Sequence, residues 1–191
     1  VYPATGSGGS DPRRSPAVFV VRWLLTIAIL PGTGLVLIPL GILRAASGPG
    51  DPIEVAPIDS PWLWIGVVLC GLGLSLATWS GSLFARFGEG TAAPWDPPRR
   101  FVVRGPYRHV RNPMILGAIS LLLSEAALFR SWPLAVWAAV FFAANAVYFP
   151  RSEEPALARR FGESYRTYSR HVRRWIPRLR PWTPDDRGGP R

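Results

Sequence analysis

The chain has 191 residues, a net charge of +10 and 48% hydrophobic residues. A chain that is both this basic and this apolar is unusual for a soluble globule and typical of a small membrane protein with basic loops. Its length allows one domain with tails, and its single cysteine, Cys70, excludes an intrachain disulfide and a cysteine-based metal site.

The N-terminal part combines a polar tail with a long apolar segment. Residues 1–16 are rich in Gly, Ser and Pro, which predicts a disordered tail. Residues 17–43 are apolar but interrupted by Pro31-Gly32-Thr33-Gly34. Each half alone is too short to cross about 30 Å of hydrocarbon, so we expect one broken, tilted helix. A re-entrant pair of half-helices is the alternative.

Three further apolar runs, at 62–84, 113–129 and 132–149, predict membrane-spanning helices. The first run is rich in small residues that favour close helix packing, namely Gly66, Gly71, Gly73 and Gly81. Only Arg130-Ser131 separates the last two runs, so they predict a helical hairpin.

The distribution of charge predicts the topology. Residues 45–60 are acidic, whereas residues 85–112 and 151–191 are rich in arginine. Basic loops stay in the cytoplasm. The sequence therefore predicts an all-α polytopic protein with about four transmembrane helices and both termini cytoplasmic, in the cytoplasmic membrane of a prokaryote.

An amphipathic pattern follows the fourth apolar run. Its apolar positions have helical spacing: Leu157, Phe161, Tyr165, Tyr168, Val172 and Ile176. We expect a cytoplasmic C-terminal helix with a hinge at Gly162 and an end at Pro177, followed by a disordered tail at 181–191. Such a helix suits a membrane surface. The same stripe could close over a cofactor, and the two interpretations are compatible.

Several other functions are disfavoured by context. The arginines flank the spans on one side, so topology explains them and we expect no nucleic-acid partner. Gly88-Glu89-Gly90-Thr91 resembles a phosphate-binding loop, but it follows an apolar helix and lacks the βαβ unit of a dinucleotide site. Neither His109 nor His171 has a plausible set of co-ligands, so we expect no metal.

Two polar clusters are brought to one membrane boundary by the predicted hairpin. The first reads G-P-Y-R-x-V-R-N-P-M-x-x-G from Gly105 to Gly117, and the second reads E-E-P-x-L-x-x-x-F-G-x-x-Y-x-x-Y from Glu153 to Tyr168. With these motifs, residues 84–180 resemble the integral-membrane methyltransferases of the isoprenylcysteine carboxyl methyltransferase and phospholipid methyltransferase type. The resemblance implies a single membrane-embedded methyltransferase domain at 17–180.

The resemblance also implies S-adenosylmethionine as cofactor and a lipophilic acceptor, either a prenylcysteine-like carboxylate or a phospholipid amine. Carboxylates accept hydrogen bonds from ribose hydroxyls and an amino group, an arginine can clamp a carboxylate, and aromatic faces suit adenine and a sulfonium. The resemblance assigns catalytic roles to Arg111 and Glu154. The cofactor-binding residues that it implies are Gly88, Gly90, Gly105, Tyr107, Arg108, Arg111, Asn112, Pro113, Gly117, Glu153, Glu154, Tyr165 and Tyr168.

Other interpretations remain beside this one. A non-catalytic membrane module could bind anionic lipid through its arginine-rich loops, and membrane reductases of the sterol reductase type share a related architecture. The helix dipole stabilises an acidic side chain at a helix start by about 0.3–1 kcal/mol. This effect accounts for one residue of Glu153-Glu154 but not for both. We interpret His109 and Glu125 as structural or interfacial. Ile115 departs from the family pattern, where many relatives have tyrosine.

Overall fold

The computed structural model describes residues 31–48, 50–88 and 101–183. The predicted tail at 1–16, the first part of 17–43 and Gly90 lie outside these residues. All the regular structure in the described part is helical, as predicted. The α-helices are α1 (Ile38–Ala46), α2 (Pro61–Leu83), α3 (Pro113–Leu128), α4 (Trp132–Tyr148), α5 (Glu154–Phe161) and α6 (Glu163–His171).

Shorter helical turns extend several of these elements. A π-helical turn at Thr33–Leu37 leads into α1, so the described part of the Pro31–Gly34 interruption is itself helical. A second π-helical turn, Phe84–Gly88, extends α2, and a 3-10 turn, Gly105–Arg108, precedes α3.

Helices α2 and α3 pack through small residues. A Cβ atom added to Gly73 would lie 2.9 Å from the carbonyl oxygen of Gly117, and one added to Gly117 would lie 2.9 Å from that of Gly73. The hydroxyl of Ser124 donates a hydrogen bond to the carbonyl of Gly66 at 2.8 Å. The predicted close packing is thus present at Gly66 and Gly73, but Gly71 faces open space.

Helices α3 and α4 form the predicted hairpin. Arg130 turns the chain in a left-handed conformation (φ 49°), and the backbone N–H of Ser131 donates to the carbonyl of Ala126 at 2.9 Å. The π-helical turn before α1 contacts α4 through the Trp137 indole, which donates to the carbonyl of Gly34 at 3.0 Å. The hairpin returns the chain to the level at which α3 began.

Two helices in the described part are long and apolar enough to cross a membrane. They are Pro61–Phe87, with 27 residues, and Trp132–Phe161, with 30 residues. Large apolar side chains project outward from the first, among them Trp64 and Val68, which are 57% and 59% exposed. The apolar helices Thr33–Ala46 and Pro113–Leu128 are shorter. The exposed apolar faces suit a lipid environment, and the count of four spans stays a prediction.

The segment after α4 differs from the predicted pattern. A π-helical turn at Phe149–Glu153 joins α4 to α5, so one helix runs from Trp132 to Phe161. Glu153-Glu154 is therefore not at a helix start, and the helix-dipole explanation for these acids does not apply. The turn contains Pro150, which has no N–H to donate to a regular α-helical ladder.

The amphipathic stripe is divided and shorter than predicted. Gly162 (φ 58°) separates α5 from α6, so the helix is interrupted at the position predicted as a hinge, and the hinge itself stays a prediction. Helix α6 ends at His171, so the prediction of helix as far as Pro177 was wrong. Val172 is buried at 1% exposure, whereas Ile176 is 61% exposed and lies beyond the helix.

Residues 172–182, the C-terminal strap, run back along the Gly105–Arg108 turn and the residues that follow it. Trp182 belongs to the stretch predicted as a tail, yet it is 5% exposed. Three backbone hydrogen bonds, each 2.9 Å from nitrogen to oxygen, join the strap to this region: Arg111 to Arg173, Arg178 to His109, and Trp182 to Arg108.

Candidate functional site

The Gly105–Arg108 turn positions the start of α3. Gly105 has a φ of +52°, and a Cβ atom there would lie 3.0 Å from the Trp79 ring, so both its conformation and its surroundings require glycine. Tyr107 is buried beside it. Pro113 occupies the start of α3, where its missing N–H costs no helical hydrogen bond.

An ion cluster lies between the start of α3 and the junction of α4 with α5. Arg111 Nη1 lies 3.0 Å from Glu154 Oε1, and the two side chains are only 13% and 16% exposed. Arg174 of the strap donates to both oxygens of Glu154, from Nε to Oε1 at 2.6 Å and from Nη2 to Oε2 at 2.8 Å. This pairing raises the pKa of Arg174. The hairpin brings Arg111 and Glu154 together, as expected from the sequence.

Two donors of this cluster have no acceptor within the described chain. Arg111 Nε and Asn112 Nδ2 are buried and make no hydrogen bond there. Asn112 precedes α3 but makes no capping hydrogen bond with its side chain. A buried donor without an acceptor costs about 1–3 kcal/mol. Two such donors on consecutive residues, one of which pairs with Glu154, fit a site that takes an anionic or carbonyl group.

Aromatic rings cover one side of the ion cluster. The centroids of Tyr165 and Tyr168 are 6.2 Å apart, and Phe101 lies 5.8 Å and 5.3 Å from them. Burial raises the pKa of Tyr165 to about 12; the charge of Glu154 adds to this, and Arg111 acts in the opposite direction. The Tyr165 hydroxyl therefore lies close to both members of the ion pair.

Tyr168 connects this aromatic group to the turn. Its hydroxyl donates to the carbonyl of Tyr107 at 2.7 Å, and its ring packs on Trp182 of the strap with 5.7 Å between centroids. Burial and then Tyr168 raise the pKa of Tyr107, and the charge of Glu153 contributes in the same direction.

Several residues predicted to bind the cofactor make contacts elsewhere in the fold. Arg108 donates from Nε to the carbonyl of Trp182 at 2.8 Å and so supports the strap. Gly117 lies in the contact with α2, where it permits close packing. Gly88 ends the π-helical turn after α2, and Gly90 lies outside the described residues.

His109 and Glu125 lie in different surroundings. His109 Nδ1 is 2.7 Å from the carbonyl oxygen of Arg178, so it helps to hold the strap. Glu125 is near the other end of α3 from Arg111, and its Oε2 has no hydrogen-bond partner within the described chain.

An open cleft of about 760 Å³ lies near the aromatic group. Arg104 borders it and stacks over the ring of Phe87, 4.4 Å from the centroid. The ion cluster does not line this cleft. Its lining residues are Phe87, Phe101, Val102, Val103, Arg104, Phe161, Glu163, Ser164, Thr167 and Trp182. Among the described residues, no three His, Cys, Asp or Glu side chains come together in a group that could hold a metal ion.

The fold and the site define an α-helical protein in which apolar helices carry a cluster of charged and donor side chains at one end. The chain belongs to the phospholipid methyltransferase family, whose model matches residues 61–164, more than half of its length. The match confirms the resemblance seen in the sequence, identifies the chain as a membrane methyltransferase, and favours an enzyme over a non-catalytic lipid-binding module. No curated protein and no solved structure gives a significant match.

Proposed function

We propose that the protein transfers a methyl group from S-adenosylmethionine to a lipophilic acceptor at the cytoplasmic membrane face. The observation that supports this proposal best is the buried Arg111 Nε without an acceptor, on the side chain that pairs with Glu154, together with a second such donor, Nδ2 of the adjacent Asn112. A cofactor with an amino-acid end offers the complementary groups, a carboxylate for the donors and an amino group for the carboxylate.

The residues around the ion cluster fit the rest of this cofactor. A carboxylate has about four lone-pair sites, and the two hydrogen bonds from Arg174 and the ion-pair contact of Arg111 with Oε1 leave one on Oε2 of Glu154. In our proposal Glu154 accepts from the cofactor through this site. Tyr165 and Tyr168 offer aromatic faces for adenine and for the positively charged sulfur.

S-Adenosylmethionine supplies a methyl group bonded to a cationic sulfur. Transfer would form a bond from the acceptor's lone pair to that carbon and break the carbon–sulfur bond, whose electrons would return to sulfur. The protein's task is to position the reactants and exclude water, and alignment of this kind can lower a barrier by roughly 7–11 kcal/mol. A carboxylate acceptor needs no base, whereas an amine must first lose its proton.

The position of the ion cluster supports a membrane-borne acceptor. Arg111 precedes an apolar helix and Glu154 lies within the 30-residue helix that begins at Trp132. A lipid could therefore approach along the exposed apolar faces while the charged cofactor comes from water. The family description favours a phospholipid amine over a prenylcysteine carboxylate.

The cofactor assignment is tested with Glu154→Gln and Arg111→Ala. Charge-assisted hydrogen bonds contribute roughly 1.5–3 kcal/mol, so each change should weaken binding of S-adenosylmethionine by about ten- to a hundredfold. Calorimetric titration of the detergent-purified protein measures this. Arg159→Ala, on the exposed side of α5, is the control and should bind normally.

Unchanged affinity in folded Glu154 and Arg111 variants would contradict the assignment and leave the two side chains as a structural ion pair. The acceptor is identified separately by incubating membranes with cofactor labelled in the methyl group. Label in a phospholipid headgroup supports the amine acceptor, and label released by mild base as methanol supports a carboxylate ester.

A further inference from the structure

We infer that Arg174 is a positioning residue of the cofactor site, which holds Glu154 so that Arg111 remains available to a carboxylate. The inference rests on the proposed function and concerns a residue outside both sequence motifs. Arg174 does not have to touch the cofactor for this role. It acts through Glu154, which it contacts at 2.6 Å and 2.8 Å.

The two arginines of the cluster contact Glu154 in different ways. Arg174 takes both oxygens of Glu154 in the two-pronged geometry that guanidinium and carboxylate groups prefer. Arg111 reaches the same carboxylate through one nitrogen, Nη1, at 3.0 Å. Its Nε has no acceptor within the described chain. Arg111 thus keeps a free donor in a buried position.

Without Arg174, these contacts would change. Arg111 would be the one cation of the cluster still paired with Glu154, and the carboxylate could turn to accept from both its Nε and an Nη nitrogen. That pairing would use the donor assigned to the cofactor and neutralise the charge of Arg111. Arg174 prevents this by competing for Glu154.

The strap holds Arg174 in place on both sides. Val172 is buried at 1% exposure, and Trp175 packs against the rings of Phe142 and Phe149 at 5.3 Å and 5.9 Å between centroids. The carbonyl of Arg173 accepts from the Arg111 backbone at 2.9 Å. Arg174 therefore reaches Glu154 from a backbone that is fixed by its neighbours.

The test compares two probes for the Arg174→Ala variant. S-Adenosylhomocysteine has the amino-acid end, and 5′-methylthioadenosine has the same nucleoside and a thioether but no carboxylate. Loss of the carboxylate contact should weaken S-adenosylhomocysteine binding by about tenfold or more and leave methylthioadenosine binding unchanged. Arg174→Lys keeps the charge but not the two-pronged geometry, so it should recover part of the affinity.

Arg173→Ala is the matched control, since Arg173 is exposed and contacts Arg111 through its backbone carbonyl. It should bind both probes normally. An equal loss for both probes in Arg174→Ala would indicate a merely structural role, and unchanged or tighter S-adenosylhomocysteine binding would show that Glu154 does not need Arg174; either result overturns the inference. If the unaltered protein bound neither probe, the proposed function would fail as well.

Discussion

The contact between α2 and α3 and the contact between the strap and the Gly105–Arg108 turn are built in opposite ways. The first depends on the absence of side chains, because Gly73 and Gly117 let two backbones approach to within van der Waals distance. The second depends on directional polar groups, such as the Tyr168 hydroxyl and the guanidinium of Arg174. One contact is sensitive to added volume, and the other is sensitive to lost donors.

This difference matters for function because α3, which packs on α2, also begins next to Arg111 of the cofactor site that we propose. The hairpin of α3 and α4 sets the distance between Arg111 and Glu154, while the strap adds Arg174. A change in the helix contact should therefore affect the whole protein. A change in the strap should alter the site first.

The largest effect is expected for Gly117→Val. Its Cβ atom would lie 2.9 Å from the Gly73 carbonyl oxygen and 3.0 Å from the Ala77 nitrogen, and neither backbone atom can move without shifting α2. We expect a loss of about 3 kcal/mol in the free energy of unfolding, at the upper end for overpacked sites. Thermal unfolding in detergent, followed by circular dichroism, measures it.

Gly71→Val is the control for this prediction, because no atom lies within 4 Å of a Cβ at Gly71. It adds the same side chain to α2, the helix that packs against α3, and should change stability by less than about 0.5 kcal/mol. Equal losses for the two variants would mean that helix propensity, and not the contact between α2 and α3, determines the result.

A smaller effect is expected for Tyr168→Phe in the second region. The change removes the donor at 2.7 Å from the Tyr107 carbonyl but keeps the ring, so packing on Phe101 and Trp182 is preserved. Loss of a partner for a buried acceptor costs about 1–3 kcal/mol, and we expect about 1–2.

The control is Tyr148→Phe, whose ring is 40% exposed on α4 and packs on Phe149. This variant should unfold at the same temperature as the unaltered protein. If Tyr168→Phe were equally neutral, the connection between α6 and the turn would depend on ring packing alone.

The sequence predicts the α3–α4 hairpin and part of the second region. Apolar runs separated by Arg130-Ser131 give the hairpin, and a hairpin must return its ends to one level, which is why Arg111 and Glu154 could be expected to meet. Helical spacing also identified Tyr165 and Tyr168 as members of one face, and both are buried.

The strap could not be predicted because its contacts have no period. Arg108 and Trp182 are 74 residues apart, and their hydrogen bonds join two segments without regular α-helix. The helical spacing of apolar residues continues to Ile176 and so predicted a longer helix. The chain instead breaks at Gly162 and leaves the helical conformation after His171. Arg174 lies in this redirected segment, and nothing in the sequence distinguishes it from the other arginines around it.

The smallest effect is expected for Glu163→Gln, which compares two acids within the second region. Glu163 pairs with Arg170 at 3.3 Å and Arg166 at 4.0 Å, but all three side chains are more than 60% exposed, in contrast to the 16% of Glu154. Exposed ion pairs contribute little, so we expect a stability change below about 0.5 kcal/mol that disappears in high salt.

Glu163→Gln also discriminates between two locations for the cofactor. Glu163 lines the 760 Å³ cleft, whereas the ion cluster of Arg111, Glu154 and Arg174 does not. If the ion cluster holds the cofactor, titration of Glu163→Gln with S-adenosylmethionine should give the affinity of the unaltered protein, while Glu154→Gln should lose about ten- to a hundredfold. The reverse pattern would move the cofactor from the ion cluster into the cleft. Arg111 and Glu154 would then have a structural role in the hairpin. In a partly buried ion pair that binds no ligand, each charge serves only to compensate the other.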